Sequence, residues 1–132
     1  MTNTAIVKTR RNHALEHATV AVLLAQGVKP PLGGYSVPGG FFLWSRMPSD
    51  EVVPVVEKAL EMLDAGHHEL AISPFCGTNM AASIVLGGLA ASLFRGRGRG
   101  TFANLRAAVA AVAVASLVHR PLGEFLQRRF TT

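Results

Sequence analysis

A single cysteine, Cys76, stands among 132 residues. One thiol cannot form an intrachain disulfide, so an oxidising compartment is not required for folding. Charge is also scarce, at 16% of residues, against roughly 25% in an average soluble domain. With 49% hydrophobic residues and a mean hydropathy of +0.32, the balance leans toward a membrane. No G-x-x-x-x-G-K stretch is present, which leaves a phosphate cradle unsupported. No internal repeat is found. The N-terminal residues lack the basic-then-apolar order of a signal peptide, so the N-terminal part is expected to be cytoplasmic.

The net charge of +5 is placed in particular positions. Lys8, Arg10 and Arg11 precede a helical stretch. Arg95, Arg97 and Arg99 separate two apolar runs, and Arg120, Arg128 and Arg129 follow the second. Basic residues beside apolar segments snorkel to lipid headgroups or set topology. The placement therefore favours a lipid partner over nucleic acid, and the R-G repeat reads as a basic loop over 95–100.

The most informative piece is His13-Ala14-Leu15-Glu16-His17, an H-x-x-E-H pattern. Residues 8–26 read as a helix, continued by Val20, Leu23 and Leu24 and stopped by Gly27. Positions i, i+3 and i+4 share a helix face, so both imidazoles and the carboxylate converge. Two neutral imidazoles one turn apart suit a shared metal ion. The bland reading makes them polar residues of an amphipathic helix.

Further along, KPPLGGYSVPGG is dense in Pro and Gly and reads as loop, a flexible lid in one reading. It carries at most a short extended piece at Tyr35-Ser36-Val37. Gly39-Gly40 and the aromatic run Phe41–Arg46 complete an expected β-hairpin. Ser49 is a candidate N-cap, and Val52, Val56, Leu60 and Leu63 recur at helical spacing up to Gly66. Residues His67–Ser73 are a candidate strand. The expected fold class is thus α+β: an αββαβ unit over residues 1–75, with a helical segment over 76–132.

That second segment changes character. Residues 77–94 and 102–118 are expected to form a two-helix transmembrane hairpin, with Arg106 snorkelling out of the second run. Gly87, Gly88, Ala90 and Ala91 make a small-residue face suited to close helix contact, hence to a protein partner or a homo-oligomer. Leu122–Phe130 reads as a short amphipathic tail at the interface.

Two further places can carry chemistry. Cys76 lies in PFCGTN, where an expected strand feeds an expected helix, and a helix N-terminus favours the thiolate. It is a candidate third ligand or nucleophile, or else an inert buried thiol. In His67-His68, a strand would aim the two rings to opposite sides, so at most one could join a metal.

HALEHATV, the Gly-Gly-Phe-Phe piece at 39–42, ELAISP and CGTN, followed by two apolar runs, together resemble an uncharacterised bacterial membrane-protein family of unknown function. The resemblance runs from about Arg10 to Val118 and implies a membrane protein. Five residues also resemble the inverzincin metallopeptidases. That likeness implies zinc ligands at His13 and His17 and a general base at Glu16. Those peptidases take a third ligand from a distant Glu, a place that Cys76 would fill here. The expectation is a membrane-anchored protein with metal ligands His13, His17 and Cys76, zinc as cofactor, and catalytic Glu16 in a metal-dependent hydrolase. The N-terminal unit would face the cytoplasm at a bacterial plasma membrane. The competing expectation is a non-catalytic membrane assembly or scaffold subunit.

Overall fold

The computed structural model describes residues 4–131, without the side chains of Thr78, Phe130 and Thr131. The chain divides into two compact units. The first runs to Ser73 and takes in the residues from Arg128 onward, and the second is Pro74–Gln127.

The first unit is built on α1 (Ala5–Ala25), a β-hairpin of β1 (Gly33–Val37) and β2 (Gly40–Trp44), and α2 (Ser49–Asp64). Helices α1 and α2 end alike. Gly27 and Gly66 take positive φ (83° and 100°), which an L side chain resists. The next amide then bonds back across the turn, Val28 N to Leu23 O and His67 N to Met62 O, both at 3.0 Å. This Schellman closure satisfies carbonyls that the helix end leaves open. It also folds Val28 onto the core of Ala18, Val22, Leu23, Val55 and Ala59. The hairpin is antiparallel with Tyr35 opposite Phe42 and Gly33 opposite Trp44. Its alternation sends Leu43 inward to the core and leaves Tyr35, Phe42 and Trp44 exposed. Asn12 donates from Nδ2 to the carbonyl of Val37 at 2.7 Å and so fastens α1 to the hairpin turn.

The αββαβ order expected for this unit is corrected at its last element. His68–Ala71 is a short 3-10 helix, and the sheet among the described residues is two-stranded. A brief apolar run such as Leu70-Ala71-Ile72 carries no decisive period. What fixes it is packing: Ala71 is buried and its carbonyl is taken by a side chain of α1, whereas His67, His68 and Glu69 stay exposed.

The second unit is a helical hairpin of α3 (Gly77–Arg95) and α4 (Thr101–Leu126). Its contact layer is made of small residues: Ala90, Ala103, Ala107 and Gly123 are buried. A Cβ on Gly87 would stand 3.2 Å from the carbonyl oxygen of Ala111. The helix axes are therefore as close as backbone permits. The large apolar side chains point away. Leu93, Phe102 and Leu117 are 79%, 86% and 75% exposed.

One further expectation changes here. The run Thr101–Arg129 is long and apolar enough to cross a bilayer; the described apolar part of α3 is Asn79–Arg95. Asn79 is almost fully buried and accepts at Oδ1 from Gln127 Nε2 at 2.9 Å, a polar layer within the hairpin. The tail expected at 122–130 is no separate element. Helix α4 continues through Pro121 to Leu126 and widens into a π-helical turn at Gln127–Thr131.

Candidate metal centre

His13 lies on the side of α1 turned away from Val22, which follows nine residues or about two and a half turns later, whereas Glu16 lies seven residues before Leu23 and shares its side. His13 and His17, four residues apart, have ring centroids 4.2 Å apart, tilted by 57°. The sequence spacing thus delivers the convergence it promised. Among polar residues of the first unit these are unusually enclosed: Glu16 is 6% and His17 5% exposed.

His17 is held in one tautomer. Its Nδ1 lies 2.7 Å from the carbonyl oxygen of Ala71. A carbonyl only accepts, so Nδ1 carries the proton and donates it. In the neutral ring Nε2 then keeps its lone pair. Backbone carbonyls do this for metal-ligating histidines as well, fixing the ring and raising the basicity of the nitrogen that binds. This partner could not be read from sequence, because it depends on the 3-10 turn that replaces the expected strand.

Glu16 is pinned by the hairpin. Its Oε2 accepts from Ser36 Oγ at 2.6 Å. Its other oxygen, Oε1, lies 3.1 Å from where a Cβ on Gly34 would stand, and that same Cβ would collide with the Phe42 carbonyl. Gly34 is therefore glycine for space, since its backbone is ordinary strand. A Gly-Gly pair inside a strand signals close approach of another group. That signal was available in GGYSV, and the groups that approach are Trp44 at Gly33 and Glu16 at Gly34. Ser36 and the Ala71 carbonyl are thus the site residues that the sequence reading did not identify.

Cys76 belongs to the second unit, where it is the buried residue that precedes α3, and the amides of Asn79 and Met80 bond to its carbonyl. His67 and His68 stay apart from this chemistry: both are exposed, and His67 Nδ1 pairs with Glu69 Oε1 at 3.1 Å. As donor types, the paired His13 and His17 of the first unit offer two imidazole nitrogens and Cys76 of the second a sulfur, all of them ligands that transition metals take. The donors do not single out zinc.

Comparison with known proteins gives the same set of residues no established chemistry. A family model described as a domain of unknown function (DUF6391) matches residues 8–132. An uncharacterized protein of Picosynechococcus sp. (strain PCC 7002) is 32% identical over 133 aligned positions, covering 93% of this chain. The chain spans 65% of that relative's length. No solved structure matches.

Proposed function

The chain belongs to the DUF6391 family, and we propose that it is a membrane-anchored metalloprotein with a zinc-type centre on His13, His17 and Cys76. The observation that carries the centre is the Ala71 carbonyl on His17 Nδ1, which presets Nε2 as the free donor. The same bond keeps residue 71 at α1. Cys76 follows five residues later, a span of at most about 18 Å of extended chain. Its thiol is thus tethered near the histidines by sequence alone. Two nitrogens and a sulfur leave a fourth position of a tetrahedral ion for water, and such an ion supplies a nucleophile at neutral pH.

In this reading Glu16 takes the proton from that water, and the reaction is hydrolysis of an amide or ester presented near the membrane. Ser36 orients the carboxylate. One observation favours a second reading. Both Glu16 oxygens face the hairpin, as a structural pin would, and the ion would then be structural in a scaffold subunit.

Anchoring rests on the second unit. Its large side chains are exposed along both helices, and α4 has the length to cross a bilayer. We take α3 to cross beside it, which puts both ends of the hairpin on one face, the cytoplasmic one of a bacterial plasma membrane. The small-residue layer also suits a second copy of the chain.

Cobalt substitution tests the centre and its chemistry together. A thiolate-to-cobalt charge-transfer band should appear in the full chain and vanish in Cys76→Ser. Glu16→Gln should keep the band and abolish ester or peptide hydrolysis. A band with no hydrolysis in the unaltered chain moves the assignment to the scaffold reading, and no band removes the centre.

A further inference from the structure

From Leu70 to Gly123 the chain contains no Asp or Glu. Within that stretch Arg95, Arg97, Arg99 and Arg106 fall in the turn between α3 and α4 and the first turns of α4. The first three are exposed. Arg106 starts from within the apolar part of α4, yet its guanidinium reaches back toward the loop, with Nη2 3.8 Å from where a Cβ on Gly98 would be. Four cations thus gather at the loop end of the hairpin, whose carboxylate, Glu124, lies at the far end of α4. Guanidinium forks match phosphate oxygens in pairs, and a long stem lets the head leave an apolar shaft.

We infer that the loop end of the hairpin, Arg95–Arg106, is a docking surface for the phosphate headgroups of anionic phospholipid. This rests on the membrane anchoring proposed above and names the lipid class that the anchor prefers. Geometry on the page supports the occupant. Helix α3 has 19 residues, about 28 Å at 1.5 Å each, close to the roughly 30 Å of a bilayer's hydrocarbon. A helix of that length sets Arg95 at headgroup level when its first residues are at the opposite boundary. The exposed Leu93, Phe94 and Phe102 next to the arginines are then in acyl chains, where a nucleic acid or soluble anion would leave them in water. Phospholipid satisfies both halves of the surface.

The test uses the full chain in neutral detergent, with lipid retention followed by native mass spectrometry. Phosphatidylglycerol should be retained at least about tenfold more tightly than phosphatidylcholine, since each surface arginine contributes roughly a factor of five toward an anionic surface. The variant Arg97→Gln/Arg99→Gln/Arg106→Gln should lose that preference and keep its phosphatidylcholine binding and its circular dichroism. Equal retention of the two lipids, or an unchanged preference in the variant, overturns the inference. So does displacement by millimolar inorganic phosphate or by a short single-stranded RNA, which would show a site for a soluble anion. Anchoring has a separate readout: a chain that stays monodisperse and in the supernatant without detergent refutes it. Vesicles of phosphatidylglycerol against phosphatidylcholine, offered to that soluble chain, would still decide the loop by the same preference.

Discussion

The two units use apolar side chains in opposite ways. In the first, Leu23 is fully buried with Ala18, Val22, Val55 and Ala59, and Glu16 and His17 of the same helix are enclosed as well. In the second, the interior is alanine and glycine, with a polar layer of Asn79 and Gln127, and most of the large apolar side chains, such as Leu93, Phe102 and Leu117, are exposed. A helix pair that packs through small residues gains little by hiding large ones from water. The arrangement makes sense where the surroundings are themselves apolar and association rests on close packing. The first unit thus buries its large apolar side chains and the second displays them, the pattern that the proposed lipid setting of the second unit would account for.

The comparison can be broken most forcefully at its two leucines. Leu23→Ala should cost about 2–5 kcal/mol of unfolding free energy, the range for emptying a packed core. Leu93→Ala, at a side chain 79% exposed, should cost almost nothing in detergent. Chemical denaturation followed by circular dichroism checks both. Similar costs at the two sites would dissolve the distinction between the units.

Next in size is the polar layer of the second unit. Asn79→Ala removes an acceptor of the fully buried Gln127 amide, and the loss of one such hydrogen bond costs about 0.5–1.5 kcal/mol. Thermal unfolding in detergent should fall accordingly. In the first unit, Gly34→Ala drives a methyl into the Phe42 carbonyl and against the Glu16 carboxylate. Overpacking of that kind costs typically about 1–3 kcal/mol. It should also disturb Glu16 more than Ser36→Ala does, which removes one hydrogen bond and leaves the space.

How far the sequence could be read follows the same division. Helix α2 and the His13–His17 pairing are legible because they depend on spacing along one helix. The carbonyl that fixes His17 comes from fifty-four residues away, and the hydroxyl on Glu16 from twenty, so no local pattern announces them. The run at 67–73 was ambiguous for want of a period, and its burial against α1 decided it. In the second unit composition alone suggested two spans. The expected tail is absorbed into a continuous α4, whose following turn places Gln127 against Asn79.

The smallest expected effect lies at Glu69, on the exposed turn before Cys76. Its carboxyl is held below the usual carboxylate range, first by its own backbone amide and then by the His67 side chain. A lowered folded value means that the stabilisation is present above the unfolded carboxylate value and is lost as pH falls through the folded one. Stability should therefore be flat with respect to this group near neutrality and decline only in acid. Glu69→Gln should remove that pH dependence, lowering stability slightly near neutrality and leaving it unchanged in acid, as a pH series of unfolding curves for both proteins will show.

The central claim is that the enclosed histidine face of the first unit serves an ion. The most direct measurement is the metal content of the full chain, purified in detergent without added metal, against His13→Ala, His17→Ala and Cys76→Ala. The account predicts about one transition-metal ion per chain, and a comparable loss in each variant, because a three-ligand site fails as a unit. A chain that carries no ion, or one whose ion survives these substitutions, would contradict it.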